Sequence, residues 1–166
     1  MFRRDLLFAG LSAAALLSVG PKLLAQSAPE PTGPQPPLPR EKLAIVTRDG
    51  KSRTFDVEMA LSPDQQTIGL MFRPTVAPDG GMLFDWHAPR QSQMWMRNTI
   101  APLDMVFIGE DGTIRAIAEN TVPQSLAVID SRVPVRATLE LAAGTTAAQD
   151  IRVGDHVRQR IFGNAP

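Results

Sequence analysis

Met105-Val106-Phe107-Ile108-Gly109-Glu110-Asp111-Gly112-Thr113-Ile114-Arg115-Ala116-Ile117-Ala118 reads as a β-hairpin. Two largely apolar runs, Met105 to Ile108 and Thr113 to Ala118, flank Glu110-Asp111-Gly112. The Asp-Gly pair supplies the positive-φ position that a tight turn between strands requires. The same pattern stands upstream, where Leu43 to Thr47 and Thr54 to Ala60 flank Arg48-Asp49-Gly50-Lys51. Working outward, further strands are predicted at Gln93 to Arg97, Val135 to Leu141 and His156 to Phe162. Short strands punctuated by turns favour a sandwich or barrel over a parallel α/β sheet. The expected fold is therefore mainly β: a single compact antiparallel sandwich or partly closed barrel with one or two short helices. One helix is signalled by Ser62 as cap, Pro63 at the first helical position and Gln65 completing a capping box, running to about Met71. Gly69 inside it suggests an early stop or close packing. Asp79-Gly80-Gly81 is a turn signal, and the glycine pair lets the backbone turn tightly or approach the core closely.

The rest of the chain divides by composition. Residues 1–27 read as a secretory signal peptide: Arg3-Arg4, an apolar run from Leu6 to Val19, then Pro21 and a small-residue exit near Ala25-Gln26-Ser27. The run is shorter than the roughly 20 residues a membrane span needs, so no stable membrane insertion is expected once it is removed. A periplasmic or secreted address follows, by either the general or the twin-arginine route. Residues 28–39 form a Pro-rich linker, with six prolines from Pro29 to Pro39, too poor in apolar side chains to offset the entropy of ordering. Residues 40–164 remain as one β-rich domain, enough for a single core. Cysteine is absent, which excludes disulfides, thiolate metal sites and a cysteine nucleophile. Loss of the leader takes Arg3, Arg4, Lys22 and Asp5 from 17 basic and 17 acidic side chains, leaving 14 and 16. A domain so nearly neutral, with its arginines scattered singly, gives no reason to expect a nucleic-acid partner. A monomer or weak oligomer is expected.

The candidate site is Met94-Trp95-Met96-Arg97-Asn98-Thr99-Ile100-Ala101-Pro102-Leu103-Asp104, which sets a tryptophan, a cation, an amide and a carboxylate in apolar sequence. As a strand, it places Trp95 and Arg97 on one face and Met94, Met96 and Asn98 on the other. Asp104 then shares an apolar face with Val106 and Ile108, so it must be paired, hydrogen-bonded or protonated, and Arg97 is the obvious partner. A purely structural reading has Arg97, Asn98, Thr99 and Asp104 bracing a tight turn. In the functional reading Trp95, Arg97, Asn98, Thr99 and Asp104 bind a small polar ligand, sugar or peptide-like: an apolar platform with a few directional groups.

With its neighbours, this stretch resembles the bacterial and archaeal domain of unknown function 192 family. The marks are Gly69-Leu70-Met71 followed by Arg73, Gly81-Met82-Leu83-Phe84, Trp95-Met96-Arg97-Asn98-Thr99, Pro102-Leu103-Asp104, Leu139-Glu140-Leu141-Ala142-Ala143-Gly144 and Gly154-Asp155. The resemblance covers about residues 40 to 162. It implies a compact, β-rich, often exported domain and carries no established activity. Arg97 stands where lysine is common in the family, keeping the charge but offering a planar fork.

Other chemistry is thinly represented. Met59, Met71, Met82, Met94, Met96 and Met105, with His87 among them, allow a copper carrier, Met94 and Met96 presenting two thioethers on one strand face; methionine is more often a core gap-filler. His87 is expected in an exposed loop and His156 at the start of the last strand, without ligand spacing. Ser92, Ser125 and Ser131 lack a nucleophile-elbow context. Asp85, Asp104 and Glu140 could supply paired carboxylates for glycoside cleavage, although Glu140, between Leu139 and Leu141, is expected to face solvent or Arg136. No catalytic residue, metal ligand or cofactor is assigned. The reading is a non-enzymatic binding or accessory domain of the cell envelope, with a hydrolase using Asp104 and a Met/His copper carrier as alternatives.

Overall fold

A computed structural model describes residues 30–165; the expected leader lies outside the described residues. The two Asp-Gly hairpins form where local turn chemistry places them. Strand β1 (Arg40–Val46) pairs antiparallel with β2 (Ser52–Ala60), from Arg40 opposite Glu58 to Val46 opposite Ser52. Strand β4 (Leu103–Ile108) pairs antiparallel with β5 (Ile114–Ala118). Gly50 and Gly112 sit at φ 81° and 82°, the conformation both turns need.

Helix α1 (Pro63–Ile68) starts as expected: Ser62 Oγ accepts from the Gln65 N–H at 3.3 Å, while Gln65 Oε1 accepts from the Ser62 N–H at 3.0 Å. It ends at Ile68 rather than Met71, with the Gly69 N–H bonded to the Gln65 carbonyl. The helix carries the chain across from β2 to β3 (Gly80–Met94), and these two strands run parallel, which a crossover connection permits and a hairpin does not. This parallel pair is the one departure from the antiparallel expectation.

Strand β3 corrects one reading. The turn expected at Asp79-Gly80-Gly81 is present, the Gly80 N–H closing on the Ala77 carbonyl at 3.0 Å, and it leads into a 15-residue strand; the strand expected over Gln93–Arg97 is only the end of β3, which stops at Met94. Its partner is the 14-residue β6 (Ile129–Ala142), which begins six residues before Val135. Register shifts between Asp85 and Arg90, and between Gln91 and Gln93, absorb Pro89, Pro134 and the positive φ of His87. His87 is exposed, but in a bulged strand, not in a loop. A four-residue helix α2 (Thr145–Ala148) follows, then β7 (His156–Arg158). The expected strand through Phe162 stops at Arg158 and turns into a 3-10 helix, where Gln159 Oε1 accepts from the Ile161 N–H at 2.8 Å.

The seven strands form one sheet in the order β5-β4-β6-β3-β2-β1-β7. Its two ends approach each other: Thr113 bridges His156, the Val157 N–H bonds to the Gly112 carbonyl at 2.8 Å and the Ile114 N–H to the Asp155 carbonyl at 2.9 Å. The sheet is thus a curled half-barrel. Leu43, Ile45, Phe55, Val57, Leu83, Val106, Leu139, Leu141 and Val157 pack together on one face of the sheet. The opposite face is also covered: Met82, Phe84, Leu103, Met105, Phe107 and Val135 pack under Leu70, Met96 and Ala101. The last residues of the Pro-rich stretch belong to this covering layer. Gln35 Nε2 donates to the carbonyls of Gln65 and Gly69, the Leu38 N–H donates to Glu58 Oε2, and Leu38 packs on the second layer.

At Gly81 the backbones of β3 and β6 come so close that a Cβ would lie 2.4 Å from the Glu140 carbonyl oxygen. Gly81→Ala is therefore expected to force the central strands apart and cost about 1–3 kcal/mol. Chemical denaturation of wild type and variant measures this, and equal midpoints would show that the strands yield freely.

Candidate functional site

The Trp95-Met96-Arg97-Asn98-Thr99 segment is a turn that staples two loops to the sheet. The Thr99 N–H closes on the Met96 carbonyl at 3.0 Å, and Asn98 takes positive φ of 55°. The Phe72 N–H bonds to the Asn98 carbonyl at 2.8 Å; on the other side the Met96 N–H reaches the Ser125 carbonyl and the Gln124 N–H the Thr99 carbonyl, both at 3.0 Å. Met96 is the plug, fully buried, its sulfur accepting from Thr121 Oγ1 at 3.2 Å. Trp95 points the other way and is 44% exposed, with the Arg97 guanidinium 5.5 Å from its ring centre.

Asp104 is not part of that surface. It is fully buried, and Arg97 is not among its partners. Its Oδ1 accepts from the N–H groups of Asn120 (2.9 Å) and Gly144 (3.1 Å); its Oδ2 accepts from the N–H and Oγ1 of Thr146 (2.9 and 2.7 Å). The carboxylate faces the interior with Val106 and Ile108, as alternation requires, and is satisfied by backbone donors of two loops instead of by a cation. Arg73 and Asp155 act similarly. Arg73 grips Glu58 with both guanidinium nitrogens, one at 2.9 Å, and Asp155 accepts from the N–H groups of Arg48 and Arg152.

Beside Trp95 lies a cavity of about 320 Å³ between α1, the loop after it, β3 and β6. Its walls include Phe84, Trp86, Met71, Met94 and Trp95, with Gln66, Thr67, Arg90, Gln93, Thr99 and Glu140 as polar groups. Most of these are already engaged. Gln66 Nε2 donates to the carbonyls of Ala60 and Asp85, Thr67 Oγ1 to Pro63, Thr99 Oγ1 to Arg97, and Gln93 Nε2 to Asp130. Arg90 lies over Trp86, 4.1 Å from the ring centre.

Glu140, expected to face solvent or Arg136, takes a different place. It lies on β6 between Met82 of β3 and Met105 of β4, is 4% exposed, and its carboxyl hydrogen-bonds none of the described residues. Burial pushes its carboxyl up to about 8, so it is protonated at neutral pH. The solvent-facing expectation fails because the second face of the sheet is covered; Arg136, its expected partner, is ion-paired with Asp85 instead. The available signal was a lone acid in an otherwise apolar strand end.

Of Asp85, Asp104 and Glu140, only Glu140 lines the cavity. Met94 lines it as well and packs against the core layer that holds Met96, but Met96 lies beyond the end of β3, so no strand face presents the two thioethers together. Ser92 is buried, with Oγ 3.0 Å from Thr138 Oγ1. Among the described residues no group of three or more histidine or acidic side chains could hold a metal ion. A wider depression of about 570 Å³ along β5 is bordered by Arg115, Asp130 and Arg132, and Asp130 is tied to Gln91 and Gln93.

A curled half-barrel with a covered outer face and a tryptophan-rimmed cavity defines the architecture, and comparison with known proteins places it. The chain belongs to the domain of unknown function 192 family, described as uncharacterized ACR, whose pattern matches residues 44–159. A crystal structure from Sinorhizobium meliloti 1021, of a presumed transcription regulator, is 46% identical, with a TM-score of 0.74, covering 76% of this chain and 98% of that one. A protein of unknown function from Novosphingobium aromaticivorans DSM 12444 is 33% identical, with a TM-score of 0.72, covering 84% of this chain and 99% of that one. No curated protein matches the chain.

Two outcomes test this site. Asp104→Ala removes the acceptor of three backbone N–H groups and of the Thr146 hydroxyl, which retains Glu119 Oε1, and is expected to cost about 3 kcal/mol, far beyond Arg97→Ala, when urea midpoints are compared. The second concerns pH. Folded, Glu140 keeps its proton to about 8, against 4.5 for an ordinary glutamate. The folded chain therefore binds the extra proton between those values, and stability falls as pH rises from about 4.5 through about 8. Glu140→Gln should flatten that descent in melting temperatures between pH 5 and 8; parallel curves for the two proteins would acquit Glu140.

Proposed function

We propose that this domain is a non-enzymatic binding or accessory protein of the cell envelope that holds a small polar ligand, sugar or peptide-like, in the cavity beside Trp95. The observation that carries this reading is the cavity itself: about 320 Å³, walled by Trp86, Trp95 and Phe84, with polar side chains at intervals. That volume lies at the lower end of small-molecule sites, the size of a single ring with its substituents. Trp95, half in solvent at the edge, serves as the stacking platform. Thr99 borders the ligand, Arg97 steadies the indole, and the Asn98 carbonyl ties the loop after α1 to the Trp95 turn, while Asp104 fixes Asn120, Gly144 and Thr146 away from the cavity.

The envelope address rests on the leader sequence, with its Arg3-Arg4 and apolar run from Leu6 to Val19. The transcription-regulator name of the Sinorhizobium relative is not carried over, because 14 basic against 16 acidic side chains after residue 27 provide no electrostatic footprint for DNA. Hydrolysis through Asp104 is disfavoured by its four internal hydrogen bonds and its position away from the cavity.

Trp95→Ala is expected to weaken ligand binding about tenfold or more, roughly 1.4 kcal/mol, without a matching loss of fold. Tryptophan fluorescence titration against monosaccharides, sugar acids and short peptides, with circular dichroism as control, measures it. Binding by the variant at wild-type strength would remove the platform from the site.

A further inference from the structure

The polar groups of the cavity divide into neutral side chains that already donate to a neighbour and ionisable ones that do not. Gln66, Thr67, Gln93 and Thr99 each hydrogen-bond a neighbour through the side chain. Arg90 and Glu140 make no hydrogen bond to any described residue, and they are the two ionisable side chains that line the cavity. Placing a carboxyl so deep that its only outlet is the cavity is costly, and the group left facing that space is available to an occupant. Nothing about the fold requires an acid there: its cross-strand neighbours Met82 and Met105 are apolar, and the layer around it is a packed core.

We propose that Glu140 and Arg90 together bind an anionic, hydroxyl-bearing ring compound of the uronic acid class, its ring lying against Trp95. This rests on the cavity being a ligand site and names the chemistry it selects. The sign of the charge decides the class. Glu140 enters the site protonated, as donor and acceptor at once, so Arg90 is the sole formal charge on the lining. An ammonium ligand would meet that cation and would first have to ionise Glu140. A monocarboxylate instead matches the guanidinium fork, and a ring hydroxyl or carbonyl oxygen matches the acid proton. The volume admits one such ring. No bond is made or broken; this is recognition.

The test uses three rings that differ chiefly in charge: galacturonate, galactose and galactosamine, titrated calorimetrically into the full domain. Galacturonate should bind at least tenfold more tightly than either of the others. Arg90→Gln should erase that preference. Raising the pH from 6 to 9 ionises Glu140 and should weaken galacturonate binding severalfold in wild type, but not in Glu140→Gln, whose amide still donates and cannot titrate. Arg90 and Glu140 are the titratable groups facing the site from every element around it, so no other lining group confuses the profile. Equal or stronger binding of galactose or galactosamine overturns the inference while leaving the cavity as a ligand site. PH-independent galacturonate binding in wild type also overturns it. Silence with all three rings overturns it too, and the broader reading falls with it only if the sugar and peptide panel is silent as well.

Discussion

Strands β3 and β6 run side by side through the middle of the sheet, and both faces are covered where residues 81–85 run beside residues 137–141, while residues 87–91 and 132–134 are exposed. That contact is set by Gly81, where the two backbones approach so closely that no side chain fits between them. Everything else is arranged around the pair. On one face Leu83, Leu139 and Leu141 join the interior of the half-barrel; on the other Met82 and Phe84 meet the layer formed by Leu70, Met96 and Ala101. A sheet covered on both faces cannot show clean alternation of apolar and polar residues, and every residue of β4 is buried.

The covering layer is mostly loop, and loops bury backbone groups that helices and strands would satisfy among themselves. The family's motif residues meet this need. Asp104 gathers donors from Asn120, Gly144 and Thr146; Asp155 gathers those of Arg48 and Arg152; Arg73 clasps Glu58, which also receives the Leu38 N–H. Several motif residues that look chemical in sequence are thus braces. The loop after α1 and the Trp95 turn, tied to each other by the Phe72–Asn98 hydrogen bond, frame the cavity over β3.

This explains which parts of the fold were legible in the chain. Both Asp-Gly hairpins and the Ser62 capping box could be read because their geometry is settled within a few residues. Strand β3 could not, because its length comes from pairing with β6 more than thirty residues away, and Pro89, His87 and the glycine pair argue locally against it. Alternation correctly put Asp104 with Val106 and Ile108, yet its partners come from loops 16 to 42 residues distant, so the nearby Arg97 was the wrong one. Glu140 was misplaced for a related reason. Period-two patterning says which face a side chain takes, not whether another layer lies on that face. Trp95 and Thr99 stand out in the sequence as part of the Trp95-to-Thr99 motif, and in the structure both border the cavity.

The meeting of the sheet's two ends bears on how the molecule behaves among its own copies. An open β-sheet offers two rows of unpaired amides and carbonyls, and such rows template edge-to-edge aggregation. Here the outer strands are short, five residues in β5 and three in β7, and the Thr113–His156 bridge with its flanking hydrogen bonds ties one end of β5 to β7. Arg115 and Arg158 put charge on those same short edges. A chain that is nearly neutral overall, and so has little long-range repulsion to keep its copies apart, is guarded against fibre formation by the geometry of its borders.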